Sequence, residues 1–204
     1  IEKETHLRHV RRFTDAASVI EQAEGEARRA QLDQHLIRLQ SDRANMARSD
    51  RRYGNAVAIY LEVAGRYRRS GRTLNACQAD LSRAQVLSDE RCGGQALEVL
   101  ATVREELREL VSDVRVGDKA ARALVEVRVQ EARALVEAWR PEEALSCIDS
   151  VERELGSDPS SLAFSHRLSV TRLRAYEQTG DLVGAVRVAD ALQRRVENSE
   201  IEHG

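Results

Sequence analysis

One short pattern recurs along the chain and constrains its fold more than any single residue does. It is an alanine followed by apolar residues four and seven positions later, anchored at Ala56, Ala96, Ala144 and Ala185, with a weaker copy at Ala16. Successive anchors lie 40, 40, 48 and 41 residues apart. A period in this range is typical of arrays of helical hairpins. Such arrays more often present surfaces to partners than catalyse reactions.

Composition points to the same fold class. Hydrophobic residues make up 42% of the chain, charged residues 32%, and aromatic residues only 3%. This balance is typical of packed amphipathic helices. The few aromatic residues and the two prolines argue against a β-sandwich or barrel, which needs strand formers and frequent turns. The sequence therefore predicts an all-α fold.

Charge and cysteine content limit the partners and the compartment. The net charge is −2, so the basic excess expected of a nucleic-acid-binding domain is missing. No apolar run reaches the length of a membrane span. The odd set of cysteines, Cys77, Cys92 and Cys147, fits a reducing compartment. We therefore expect a cytoplasmic protein without direct contact to nucleic acid or membrane. Because the chain begins at Ile1 inside a helical pattern, we also expect it to be a piece of a longer protein.

Glycine and proline divide the helical periodicity into segments. Pro141 suits the first turn of a helix, Ser157–Pro159 starts another in the same way, and Asp181 after Gly180 can cap the last one. With apolar stripes of three- and four-residue spacing, these signals predict helices at 2–12, 14–30, 32–50, 53–70, 73–89, 93–113, 118–139, 141–155, 159–179 and 181–198.

Two segments resemble the tetratricopeptide repeat family. The clearer is Ala175–Ala185, with Ala-Tyr, Gly-Asp and a further Ala around the predicted turn, and the second is Arg140–Leu145. Arg51–Ala56 and Cys92–Ala96 are weaker copies, and the spacing of 40 to 48 residues exceeds that of the family. The resemblance implies an α-solenoid over residues 1–204 as a single domain. In such a fold, antiparallel helical hairpins stack into a right-handed superhelix.

The resemblance also implies a concave binding face lined by the first helix of each hairpin. Arg133 and Arg174 occupy matching places there, where two guanidinium groups can bind an acidic side chain or a peptide carboxylate. The alternative is that each pairs along its own helix, with Glu137 and Glu177. The groove positions are Arg38, Asn45, Arg48, Gln78, Gln85, Glu126, Arg133, Arg167, Arg174 and Glu177.

Other chemistry-bearing residues give weaker signals. His6 and His9 are three apart on a predicted helix but have no evident third ligand, so no metal site is predicted. Phosphate-binding loops and nucleophile elbows are missing, which predicts no catalytic residues and no cofactor. The basic stretch Arg66–Arg72 is interpreted as cations at a helix C-terminus rather than a nucleic-acid contact. Trp139 is expected to fill a joint between hairpins, or else to anchor a partner.

We therefore expect a non-catalytic protein- or peptide-binding scaffold or regulatory domain of a larger bacterial protein. The alternative is a ligand-sensing or dimerisation domain of a transcriptional or nucleotide-signalling regulator. A homodimer would form through a terminal helix, such as Asp190–Glu197, whose outer apolar residues lack a following repeat to cover them.

Overall fold

The structure is a computed structural model that describes the backbone of residues 2–156 and 162–201 and the side chains of 15, 16, 18–156 and 164–194. Within these residues it contains nine α-helices and no strand, which confirms the all-α prediction. The helices are α1 Glu2–Arg29, α2 Asp33–Ser49, α3 Tyr53–Arg69, α4 Thr73–Asp89, α5 Gly93–Leu110, α6 Gly117–Glu137, α7 Pro141–Leu155, α8 Leu162–Thr179 and α9 Leu182–Ile201.

The predicted bounds of α2 to α7 agree with the structure to within three residues. Pro141 is the first residue of α7, and the Asp181 carboxylate accepts a hydrogen bond from the Gly184 amide at 2.9 Å, as predicted. The predicted break near residue 13 is wrong, because α1 is continuous. No glycine or proline stops the helix near Asp15, and a break there would leave backbone N–H and C=O groups without partners. The signal at Ser157–Pro159 lies outside the described residues.

Six of the connections between helices share one backbone conformation. A residue with positive φ follows the helix, and the next backbone N–H donates to the carbonyl five residues earlier, as in Arg52 to Ala47 at 2.8 Å. This is the Schellman arrangement, which satisfies carbonyls at a helix end. The positive-φ residues are Gln31, Arg51, Gly71, Arg91, Trp139 and Gly180. Four are not glycine and carry a strain of about 1–2 kcal/mol each.

The first of two compact units spans Ile1–Val86 and contains α1 to α3 and most of α4. Two buried clusters form its core: one joins α2 to α3 through small side chains such as Ala44 and Ala56, and the other joins α3 to α4 through Ala64 and Ala79. Glu24 is buried and pairs with Arg28 and Arg43 at 3.0 and 3.1 Å.

The second compact unit spans Leu87–Gly204 and contains α5 to α9. Each helix packs on the next in sequence, and α6 also packs on α8. One core cluster joins α6, α7 and α8 through Val129, Ile148 and Leu168, and a second joins them through Leu135, Ala144 and Ala175. The prediction of a single domain over 1–204 stays a prediction.

The recurring alanine pattern marks buried helix contacts. The anchors Ala56, Ala96, Ala144 and Ala185 are all buried. The apolar residues four and seven positions later are also buried in the first three of these copies. In the last copy, Ala189 is exposed instead, so that face of α9 differs from its counterparts in α3, α5 and α7.

Gly93, the first residue of α5, allows a close approach between α5 and the end of α6. A Cβ atom there would lie 2.4 Å from the Ala134 carbonyl oxygen and 2.5 Å from the Ala138 nitrogen, both backbone atoms of the α6 end. A Cβ atom on the neighbouring Gly94 would meet nothing within 4 Å. The two adjacent glycines therefore have different roles.

Replacing Gly93 with Ala should lower the free energy of unfolding by about 3 kcal/mol, because α5 must move away from α6 to relieve the overlap. The matched control, Gly94→Ala, should be neutral or stabilising by about 0.5 kcal/mol, since alanine loses less conformational entropy in a helix than glycine. Urea unfolding followed by circular dichroism measures both. Equal midpoints for the two variants would contradict the close packing.

Candidate functional site

A cavity of about 250 Å³ lies between α6 and α8 in the second unit, and it contains the densest group of predicted groove residues. The buried residues Val129 and Val136 form its apolar floor, three more exposed arginines form its rim, and the cavity is partly open to solvent. It is lined by Val129, Arg133, Val136, Glu137, His166, Arg167, Val170, Thr171 and Arg174. We refer to it as the α6–α8 cavity.

Helical spacing explains how the cavity residues come to one place. On α8, His166, Val170 and Arg174 follow one another at four-residue intervals and form a stripe along the helix. On α6, Val129, Arg133 and Glu137 do the same. Because α6 and α8 pack on each other, the two stripes face a common space.

Each of the three rim arginines pairs with an acid on a neighbouring helix. Arg167 binds Glu126 through both terminal nitrogens at 2.7 Å, a bidentate arrangement. Arg174 donates to Glu137 at 3.0 Å, again from α8 to α6.

The third pair joins α6 to the end of α4, where Arg133 donates to Asp89. Arg133 and Arg174 each use one guanidinium nitrogen in these pairs, out of the five N–H donors that arginine has. Further donors therefore stay available to a carboxylate that enters the cavity.

The interpretation that these arginines pair along their own helices is wrong. The acids predicted for Arg133 and Arg174 were Glu137 and Glu177, one turn away on the same helix. Instead, Glu137 of α6 binds Arg174 of α8. The reason is burial: the Glu137 side chain is mostly enclosed between α6 and α8, where the α8 arginine reaches it.

The other predicted groove residues lie outside the cavity. In the first unit, Arg48 of α2 donates to Gln85 of α4 at 3.0 Å, and Asn45 accepts a bond from the Tyr60 hydroxyl at 2.6 Å. Burial raises the pKa of Tyr60. Glu126 lies beside the cavity as the partner of Arg167, whereas the exposed residues Arg38, Gln78 and Glu177 do not line it.

Sequence reasoning missed His166 and Val170 as cavity residues. Neither residue is among the groove positions that the resemblance implies. Their four-residue spacing to Arg174 was the available signal, because it places all three on the helix stripe that carries the predicted arginine.

Trp139 is 77% exposed, so the prediction that it fills a joint between hairpins is wrong. It occupies the positive-φ position of the turn between α6 and α7. That turn directs the indole away from the protein rather than into the next hairpin. The second interpretation, a partner anchor, stays a prediction.

The basic stretch Arg66–Arg72 is divided between structural roles. Arg68 binds the buried carboxylate of Asp80 at 2.7 Å, and Arg66 binds Glu62 one turn earlier at 3.1 Å. Arg66, Arg68 and Arg69 all lie in the last turn of α3, where cations offset the helix dipole. These contacts favour the helix-terminus interpretation.

The described cysteine and histidine side chains give little sign of a reactive thiol or a metal site. Cys77 is buried, and burial raises the pKa of the half-buried Cys147 thiol. No group of three or more His, Cys, Asp or Glu side chains that could hold a metal ion occurs among the described residues. The side chains of His6, His9 and His203 lie outside them.

No described helix is long and apolar enough to cross a membrane. Comparisons with protein-family models, curated proteins and solved structures find no match to this chain.

A double-mutant cycle distinguishes pairing between helices from pairing along one helix. Alanine substitutions at Arg174 and Glu137 should show a coupling free energy of about 0.5–1 kcal/mol, since the two side chains are bonded. The matched cycle at Arg174 and Glu177 should show coupling close to zero. Urea unfolding of the single and double variants measures both cycles, and the reverse order would refute the observed pairs.

The single tryptophan reports the exposure of the α6–α7 turn. We expect its emission maximum to lie close to that of free tryptophan in water and its fluorescence to be quenched by acrylamide at nearly the free rate. The Trp139→Phe variant should keep the stability of the parent within about 0.5 kcal/mol, as is usual for exposed positions. Blue-shifted, protected emission would contradict the exposed placement.

Proposed function

We propose that this chain is a non-catalytic binding segment that holds a peptide, or a short extended segment of a partner protein, in the α6–α8 cavity. The observation that carries the proposal is the arrangement of three arginines around an apolar floor in one cavity. We also propose that the helices form a solenoid of stacked hairpins, a right-handed superhelix like that of the tetratricopeptide repeat. The contact between α6 and α8 supports this proposal.

Cavity size favours a peptide over a free small molecule. Pockets that enclose a small ligand usually measure about 300–1,000 Å³ and bury most of its surface. The α6–α8 cavity is smaller, at about 250 Å³, and is open on one side. It fits one or two side chains of a longer ligand whose remainder lies along the adjoining helix surface.

The residues that line the cavity limit the kind of peptide that it can bind. Val136 and Val170 offer apolar contact to a short aliphatic side chain, while Arg133 and Arg174 offer N–H donors to a carboxylate. Since each arginine already has an acidic partner, the site is close to neutral overall, which disfavours a polyphosphate or a nucleic-acid backbone. We therefore propose an acidic side chain or terminal carboxylate beside an aliphatic residue.

The biological setting follows as part of the same proposal. A segment that binds a peptide without catalysing a reaction acts as a scaffold or regulatory domain, and we place it in the cytoplasm of a bacterial cell within a larger protein. The low aromatic content, the arginine-rich composition and the lack of a catalytic motif support this assignment.

A peptide selected against the full chain from a random display library tests the site. The double variant Arg133→Ala with Arg174→Ala should bind the peptide about tenfold more weakly or worse, because two charge-assisted donors are lost and Asp89 and Glu137 then repel the carboxylate. Val170→Glu should abolish binding by placing a charge among the apolar side chains that line the cavity. Isothermal titration calorimetry measures these affinities.

The matched control removes two arginines elsewhere in the second unit. Arg122 and Arg153 are exposed on α6 and α7 and do not line the cavity, so their double alanine variant should bind the peptide with unchanged affinity. Unchanged affinity in the cavity variants, or equal losses in the cavity and control variants, would refute the proposed site.

A further inference from the structure

The last helix, α9, exposes an apolar stripe. Leu182, Val183 and Val186 are 71%, 62% and 59% exposed, and Ala189 is exposed one turn further along. Positions 182, 186, 189 and 193 recur at three- and four-residue intervals and therefore lie on one face of the helix. The buried anchor Ala185 lies on the adjoining face, one turn before Ala189, where α9 packs on α8. We refer to Leu182, Val186 and Ala189 as the α9 stripe.

The equivalent positions of α5 are covered by a helix. Counted from the start of each helix, Leu182 corresponds to Gly93, Val186 to Leu97 and Ala189 to Leu100. Gly93 is buried against the α6 backbone, Leu97 packs against the cluster that contains Leu135 and Val136 of α6, and Leu100 is fully buried.

The equivalent positions of α7 show the same coverage. Pro141 is buried, Leu145 packs on the cluster that includes Ala175 of α8, and Ile148 packs on Leu168 of α8. In both α5 and α7, the face that corresponds to the α9 stripe is thus a helix-docking face. The α9 stripe keeps apolar side chains there while exposing them to solvent.

We propose that the α9 stripe pairs with the α9 stripe of a second copy of this chain, with the two helices antiparallel. A two-fold axis midway between residues 187 and 188 places Val186 opposite Ala189 of the second copy and Leu182 opposite Gln193. Apolar side chains then cover one another along the middle of the contact.

Charge complementarity favours a second copy as the occupant. In this register Arg187 lies opposite position 188 of the second copy, and Asp190 of that copy is two residues away, about 3 Å along the helix axis. Arg187 and Asp190 lie on the same side of the stripe. The two-fold axis therefore generates the contact between Arg187 of one copy and Asp190 of the other twice. Among the described side chains, neither Arg187 nor Asp190 has a hydrogen bond or ion pair. A face that carries both signs of charge in this way is complementary to itself.

The pairing is independent of the peptide site. None of the residues that line the α6–α8 cavity belongs to α9. A dimer formed through α9 would therefore present two cavities, and two linked sites bind a partner with repeated motifs more tightly than one site does.

Sedimentation equilibrium of the full chain over a concentration series tests the proposal. The parent chain should be a dimer, and Val186→Glu should be a monomer because a carboxylate would be buried in the middle of the contact. The matched control is Leu61→Glu, which places the same charge on an apolar residue of α3 that is 55% exposed. It should remain a dimer, and circular dichroism should confirm that both variants stay helical.

A charge reversal tests the register. Arg187→Asp should raise the dimer dissociation constant by about tenfold, since two like-charged pairs then face each other. Combining it with Asp190→Arg should restore the parent value, because the ion pairs form again with reversed sign. A monomeric parent chain, a dimer that survives Val186→Glu, or a double reversal that fails to restore the affinity would each overturn the proposal.

Discussion

Close contact between helices at small side chains is the constraint on which the other features of this protein depend. The anchoring alanines are buried where one helix packs on another, and Gly93 brings the start of α5 against the backbone of α6. A larger side chain at such a position would separate the helices. Because the protein has so few aromatic residues, it fills its cores by bringing backbones together rather than by inserting large side chains.

The same packing defines the candidate site. With α6 and α8 in contact, charged residues near their shared surface are partly enclosed, and each arginine there pairs with an acid on a neighbouring helix. Partly enclosed charges need partners, so these pairs hold the arginine side chains in place before any ligand arrives. A preorganised rim loses less conformational entropy on binding than three free arginines would lose.

Local signals in the sequence predicted the helices well and the site only in part. Gly71, Pro141 and Gly180 mark helix ends because their backbone preferences act within a few residues. The resemblance to the tetratricopeptide repeat also assigned Arg133, Arg167 and Arg174 to a groove, and all three line the α6–α8 cavity. Their partners were not predictable, since Arg167 and Glu126 are 41 residues apart and meet only through the packing of α8 on α6. Trp139 was misplaced for a related reason, because hydrophobicity predicts burial but the turn geometry decides the direction of the side chain.

The shared turn has a consequence for how such a chain can change in length. Its positive-φ residues fall at Gln31, Arg51, Gly71 and Arg91, spaced one helix apart, whereas the connection before α6 does not use it. Losing a single helix between two such turns would reverse the direction of every later helix. Gain or loss of two successive helices preserves the direction of the helices that follow. Duplication that keeps the fold therefore adds helices in pairs. An insertion in the connection before α6 would leave these turns unchanged.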